Sequence, residues 1–500
     1  MLANLYAAFG QVFDPYVLGV ILASAMYGLF VGAVPGLSAT MAVALLVPVT
    51  FFMPPVPAIA TMVTATAMAI FSGDIPGCLL RIPGTPASAA YTDEAYAMTK
   101  KGQAEVALGA GLVFSVIGGL FGTFVLIVAA PSLAEMALNF SSYEYFWLVL
   151  LGLTCAIFIA SGNPLKGFVS LFLGLMIASV GMGNPSGFPR FTFGNSNLLG
   201  GLSLVPIMVG MFAVSEVLRY AITAGRKIEI VQSKIGNVFT GMWDLTVKYP
   251  ASILRGSVLG TIIGALPGAG ADIAAYMSYA MSKKFSKEPE KFGTGHVEGI
   301  VESGAANNSS LAGAWIPALV FGIPGDSITA IVIGVLYMKN LNPGPMIFIY
   351  NPVAIYSIFI VFILANLLML PLGYLTIKLA KRILEVPRNI LMPLILLFCI
   401  VGAYSINNSA FDVGIMLAFG LLAYLMEENG FPIAPAILGV VLGGMLEENF
   451  ISSMIKSDGD FIAFFSRPIA GTLGVLTLLV WSMPVIMRIL RKKQSTKGSV

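Results

Sequence analysis

GLFVGAVPGLSATMA at residues 28–42 and GTIIGALPGAGADIA at residues 260–274 read as two copies of one design, an apolar helix broken at a Pro-Gly pair and then resumed. Later in each copy the pattern recurs: RIPGTPASAA (81–90) lines up with GIPGDSITAI (322–331). Each copy therefore holds an early and a late Pro-Gly break in otherwise apolar sequence. Proline removes a backbone donor and stops a helix, and glycine lets the chain turn where a side chain would clash. Two pairs of breaks in the same order predict an internal repeat.

Outward from the breaks, the chain is apolar throughout. Of 500 residues, 57% are hydrophobic and 10% are charged, against roughly 25% charged in a soluble domain. Mean hydropathy is +0.90. That composition cannot clothe a soluble surface, so the missing polar surface faces lipid. Apolar runs near 16–34, 57–80, 106–130, 143–161, 164–181, 201–222, 251–267, 297–321, 352–378, 389–407, 411–426, 431–450 and 468–487 predict an all-α polytopic membrane protein. About 11–13 transmembrane segments fit this pattern. The pieces 38–52, 84–91, 268–282 and 325–338 are too short to span and read as re-entrant or broken helices. The expected organisation is one transmembrane carrier domain over 1–480. It holds repeat one at 16–105, connecting helices at 106–222, repeat two at 250–350 and C-terminal helices at 352–487. A basic, disordered tail follows at 488–500.

Basic residues orient the halves, because Lys and Arg accumulate on the cytoplasmic side. The first residues and the link FMPPVP (52–57) lack them and belong outside; Lys100 and Lys101 close repeat one inside. Arg226, Lys227 and Lys234 open repeat two inside, and the nearly uncharged NLNPGPMIFIYNP (340–352) ends it outside. Lys378, Lys381, Arg382, Arg388 and the tail also fall inside, while Arg190, Lys456 and Arg467 are exceptions. The repeats are thus expected to be inverted, with the N-terminus outside and the C-terminus cytoplasmic. Matching breaks in inverted halves mark the ligand site of many alternating-access carriers.

The breaks suggest anion chemistry without basic side chains. A helix that restarts at Gly36, Leu37, Ser38, Ala39 and Thr40 offers free N–H groups, a positive dipole end and two hydroxyls. Gly268, Ala269 and Gly270 repeat the arrangement, and two such ends would suit two carboxylates of one substrate. Gly84, Thr85 and Gly325 at the later breaks join this set. The plainer role for Ser38 is an N-cap, and for the glycines helix packing.

Ionisable residues inside the repeats must face a cavity or each other. Asp272, Asn307, Asn308, Asp74 and Asp326 are oxygen ligands suited to a small cation. Asp272 also suits a helix N-terminus, and Arg81 is placed either to clamp a carboxylate or to pair with Asp74. Glu298 and Glu302 read as near-surface groups, and the lone His296 as a solvated loop residue. Cys78, Cys155 and Cys399 lie far apart in apolar segments and read as buried thiols, with no disulfide framework and no metal site beyond Na⁺. The first residues lack a basic n-region, which argues against a cleaved signal peptide. No G-x-x-x-x-G-K-[ST] is present, so nucleotide hydrolysis is not expected, and a net charge of +3 points to no nucleic acid.

GLFVGAVPGLSATMAVALLVPVTF, IPGTPASAA with the following AYAMTKKGQAEVALG, GALPGAGADIAAYMSYAMSKKFSK and ESGAANNSSLAGAWIPALVFGIPGDSITA resemble the signature segments of the tripartite tricarboxylate transporters, in their large TctA-like membrane subunit. The likeness runs from about residue 16 to the 450s. By position it places the family's segments on Pro35–Thr40, Ile82–Gly84, Pro267–Ala271, Ala306–Asn308 and Ile323–Gly325. It implies a carrier in the bacterial inner membrane for citrate or another tri- or dicarboxylate. The implied partners are a periplasmic substrate-binding protein and a small membrane subunit. It further implies coupling to Na⁺ or H⁺, with no cofactor and no enzymatic step. Ser72-Gly73-Asp74 and Arg81 depart from the pattern, where a Gly-Gly-Ser-like stretch and an Asn are expected. Two other readings stand beside it: a stand-alone ion-coupled carboxylate exchanger, and an intramembrane enzyme using Asp272 or Asp74, for which no paired catalytic group is found. Whether two copies form a homodimer is not legible.

Overall fold

The computed structural model describes residues 2–160, 163–183, 187–223 and 236–497, with backbone alone at Leu2, 158–160 and 483–497. The basic cluster Arg226, Lys227 and Lys234 and the last three residues of the expected tail lie outside the described residues. Helices come in the order α1 (Leu2–Val12), α2 (Pro15–Ala33), α3 (Ala39–Phe51), α4 (Pro55–Ser72), α5 (Asp74–Leu80), α6 (Thr92–Lys100) and α7 (Ala104–Ala137). Next are α8 (Ser142–Ala160), α9 (Pro164–Ala178), α10 (Leu204–Val209), a π-turn (Gly210–Val214), α11 (Ser215–Thr223), α12 (Met242–Lys248) and α13 (Pro250–Gly264). The rest are α14 (Gly270–Phe285), α15 (Val297–Phe321), α16 (Ser327–Met338), α17 (Ile347–Tyr350), α18 (Pro352–Leu384), α19 (Arg388–Asn407), α20 (Ala410–Glu428), α21 (Ile433–Lys456) and α22 (Pro468–Lys497). No β-strand occurs among the described residues.

The chain is thus an all-α, multi-pass membrane protein. Among the described residues, eight helices are long and apolar enough to cross a bilayer. Other expected spans are shorter apolar helices, as at Pro164–Ala178, or are broken by the Pro-Gly pairs. α15 is long enough, with 25 residues, but carries Glu298, Glu302, Asn307 and Asn308. Every residue from Glu298 to Val320 is nevertheless buried, so its polar groups are shielded from lipid by protein. One expectation is corrected at the C-terminus, where the basic tail continues α22 as far as Lys497.

Two compact units are present, residues 1–137 with 203–433, and residues 138–202 with 434–500. The first holds both repeats. The second is built from α8, α9, α21 and α22 around Phe146, Trp147, Phe464 and Ala470. There the Trp147 indole N–H donates to the Phe464 carbonyl at 2.9 Å. Arg190 pairs with Glu447 at 2.7 Å and Arg467 with Glu144 at 3.1 Å. These two exceptions to the charge pattern are therefore neutralised by carboxylates.

Close approaches in the first unit fix the direction of each helix. A Cβ on Gly28 or on Gly32 of α2 would stand 2.4 Å from the Ala65 or Ala69 carbonyl oxygen of α4. The two helices therefore run in parallel. In the second copy a Cβ on Gly260 or Gly264 of α13 would stand 2.3 or 2.2 Å from the Ala306 or Ser310 carbonyl of α15. The same seam is built twice. α7 runs with α15, Gly118 lying on Ala305 and Gly122 on Ser309. α18 runs against α7, Gly119 meeting Asn366 and Leu112 meeting Gly373, but with α4, where Ala60 lies near Ile358 and Phe71 against Gly373. Followed through, these registers set α2 and α4 opposite in direction to α13 and α15. The repeats are inverted.

Candidate functional site

α2 stops where Pro35 and Gly36 interrupt it. Gly36 takes φ +88° and is exposed, a conformation that favours glycine. The chain resumes as α3, with Ser38 extended at the N-cap and its hydroxyl accepting the Met41 N–H at 3.1 Å. Leu37 and Ala39 are buried, whereas Ser38 and Thr40 are half-buried. The second copy repeats the turn, with Gly268 at φ +81° and Gly270 at φ +58°. Its wiring differs, because the Gly268 N–H donates to the Gly325 carbonyl at 2.8 Å. That donor holds the two breaks of repeat two together. Ala269 and Gly270 are buried beside it.

The later breaks are equivalent as well. Arg81 ends α5 in the left-handed region at φ 58°, as Gly322 ends α15 at φ 68°. Gly84 donates to the Gly73 carbonyl at 3.0 Å, and a Cβ there would lie 2.7 Å from the Gly32 carbonyl. Gly325 sits likewise, its Cβ position 2.4 Å from the Gly264 carbonyl. Both glycines seat a late break on the early helix of their own repeat. Thr85 is buried and exchanges hydrogen bonds with Ser88 at 3.2 Å. Asp326 caps α16, accepting the Thr329 N–H at 2.7 Å in a reciprocal capping box.

The two repeats cross-brace each other at these breaks. α16 packs on α3, and the 3₁₀ turn Ser88–Ala90 packs on α14. Asp272 is exposed to solvent, yet it lies beside the Ala87 backbone and near Asp326. Glu94 of repeat one is fully buried and accepts from Tyr279 Oη at 2.7 Å, from the Gly295 and His296 N–H groups at 2.7 and 2.8 Å, and from the Gly293 N–H. It fastens α6 to the loop before α15.

Reading the sequence did not bring Arg388 to the first break, where the structure places it. It starts α19, which lies along α3 so that Gly402 meets Pro48 and Arg388 meets Gly36. A Cβ on Gly36 would stand 3.1 Å from its Nη1. Arg388 Nη2 is buried with no hydrogen-bond partner among the described residues. The π-turn at Gly210–Val214 packs against α3 and α19 nearby. In the sequence Arg388 is one more basic residue of an inside loop; only the α3–α19 packing brings it to the break.

Several expected pairings are replaced. Arg81 does not meet Asp74 but pairs with Asp93 at 2.9 Å, with both side chains well exposed. Asp74 is instead buried and accepts from Tyr91 Oη at 2.6 Å. Asn307 donates from Nδ2 to the same phenol oxygen at 3.1 Å. The recorded partners thus tie Asn307 to Asp74 rather than to Asp272. Asn308 turns to α18, its Nδ2 3.4 Å from Met369 Sδ. Glu302 is not a surface group: it is fully buried and takes a two-armed bond from Arg255, with Nε to Oε1 at 2.7 Å. Nor is His296 solvated, since it is 8% exposed with Nε2 3.3 Å from Glu298 Oε2. The loop before it is held to α6, with the Gly293, Gly295 and His296 N–H groups donating to Glu94. Cys78 and Cys399 are buried and Cys155 is half-buried, all as free thiols.

The sequence model of the family described as the tripartite tricarboxylate transporter TctA family matches residues 18–438. An uncharacterized 52.8 kDa protein of the TAR-I ttuC' 3' region of Agrobacterium vitis is 34% identical over 489 residues, covering 97% of both chains. An uncharacterized protein of the TAR-II ttuC' 3' region of the same organism is 36% identical over 234 residues, covering 46% of this chain and 95% of that protein. No solved structure matches the chain.

Proposed function

The chain belongs to the tripartite tricarboxylate transporter TctA family, and from that premise we propose that it is the carrier subunit of an ion-gradient-driven importer of tri- or dicarboxylates such as citrate. A periplasmic binding protein delivers the substrate, and a small membrane subunit completes the system in the bacterial inner membrane. The observation that carries this reading is the Arg388 guanidinium against the exposed Gly36 break, its Nη2 buried without a hydrogen-bond partner.

Arg presents a rigid fork of donors that matches a carboxylate in two parallel bonds. At this break the fork stands beside the first turn of α3, whose N–H groups and dipole also favour an anion. Thr40 adds a hydroxyl to the same turn. One carboxylate of the substrate sits there, and another reaches toward the second copy at Gly268–Gly270. Because Gly268 already donates to the Gly325 carbonyl and Ala269 to the Leu266 carbonyl, Gly270 is left as the backbone donor of that half. Inverted repeats that brace each other at the breaks allow one half to rock against the other around a fixed site.

The test is uptake of labelled citrate and a dicarboxylate panel into cells expressing this chain with its partner subunits, against cells lacking the chain or the binding protein. Saturable uptake that needs both is the expected result. Uptake that persists without the binding protein would favour a stand-alone exchanger, and no carboxylate uptake at all would overturn the reading.

A further inference from the structure

We infer that Asp74, Tyr91 and Asn307 form the seat of the coupling cation, an inference that rests on the carrier reading above and adds the place where the ion binds. Asp74 starts α5, just past the Gly73 kink, and is sealed from solvent. Among the described residues no Lys, Arg or His lies within ion-pair distance of it. The one base that the sequence offers nearby, Arg81, is spent on Asp93. A carboxylate buried without a counter-charge is strongly disfavoured. Its neutralising charge therefore comes from solution, as a proton or Na⁺.

The surroundings fit a monovalent cation. Asp74 Oδ2 and Asn307 Oδ1 are buried with no hydrogen-bond partner, and so is Ser303 Oγ, one turn before Asn307 on α15. Gly111 of α7 lies against Asp74 Oδ2, which a Cβ there would approach to 3.2 Å. The unfilled oxygens of Asp74 and Asn307 thus belong to the two residues that share the Tyr91 phenol, on α5 and α15, with α7 packed on both helices. Among the described residues no group of three His, Cys, Asp or Glu side chains comes together, so a single carboxylate with amide and hydroxyl oxygens is the available donor set. One negative charge among neutral oxygens suits a singly charged ion rather than a divalent one.

The arrangement also explains coupling. Asp74 and Tyr91 belong to the first repeat and Asn307 to the second, and the phenol bridges them with bonds of 2.6 and 3.1 Å. A cation that joins or leaves Asp74 changes the charge at the inter-repeat contact itself. Its binding therefore favours one setting of the repeats over the other.

The test uses membrane vesicles holding the full chain with its partner subunits. Accumulation of labelled citrate is driven by a pH gradient without Na⁺ in one arm, and by a Na⁺ gradient at equal pH in the other. Exchange of labelled for unlabelled citrate is measured beside it. Wild type is expected to accumulate substrate in one arm, which identifies the ion. Asp74→Asn is expected to lose accumulation in that arm and keep exchange, and Tyr91→Phe to raise the ion concentration needed for half-maximal rate. Asp74→Glu, which keeps the charge, is expected to restore part of the accumulation. Asp74→Asn accumulating like wild type would overturn the inference. So would loss of exchange together with accumulation, because Asp74 would then be architectural. A wild type that exchanges citrate but accumulates it in neither arm would also overturn it. A wild type that does not even exchange carboxylates would instead sink the carrier reading.

Discussion

Two roles are proposed for the positive charge of Arg388, and only one of them can be read along the chain. As a member of the basic stretch before α19 it is expected on the inside face. As a neighbour of Gly36, with Nη2 free of hydrogen bonds, it is the group we propose to bind a substrate carboxylate. Lysine separates the two roles, since it keeps the charge but loses the fork. Arg388→Lys is expected to leave membrane insertion intact and to raise the KM for citrate. Arg388→Gln removes charge and fork together and is expected to raise KM further, by roughly 10- to 100-fold, the worth of a charge-assisted hydrogen bond. Uptake kinetics on both variants check this, and an unchanged KM in Arg388→Gln would remove the residue from the site. The same limit applied to Asp74. Its place near a break was legible, but its partner was not, because Arg81 at the left-handed C-cap of α5 directs its side chain to Asp93. A local sequence motif does not encode which way a side chain leaves a helix end.

Helices were more legible than contacts. The breaks at Pro35-Gly36 and Pro267-Gly268 fall where the sequence put them, and the short pieces after them are α3 and α14. Proline and glycine act locally, so their effect is visible from neighbours alone. The seam between α2 and α4, and its copy between α13 and α15, depends on registers set by packing. There Gly28 and Gly260 allow backbone to meet backbone, at 2.4 and 2.3 Å from where a Cβ would stand. Valine at either position is expected to force the helices apart, at a cost of about 1–3 kcal/mol or more for overpacking. Gly28→Val and Gly260→Val should therefore lower the thermal midpoint of the purified protein by similar amounts. Valine at Gly19, whose Cβ position is open, should leave the midpoint unchanged. A fall for only one of the seam variants would show that the two copies are not energetically equivalent.

On the scale of the whole molecule, the inverted arrangement follows from charge distribution in the sequence and from helix direction in the structure, by independent routes. The positive-inside bias places the ends of each repeat, and the glycine registers set α2 and α4 opposite to α13 and α15. What the sequence could not supply was the cross-bracing. α16 of one repeat packs on α3 of the other, and the Glu94 carboxylate holds the loop at 293–296. Such contacts join residues far apart in the chain. They brace the breaks of the two repeats against each other.

Protection of a cysteine at the first break by substrate tests that site most directly. With Cys78, Cys155 and Cys399 replaced, Thr40→Cys would be labelled by a small thiol reagent in vesicles, with and without citrate and the binding protein. The account predicts that citrate slows labelling at Thr40→Cys in a saturable way and that the Arg388→Gln background shifts the protection to much higher citrate. Labelling at the same rate with saturating citrate, in a protein that still transports it, would contradict the account and place the carboxylate elsewhere.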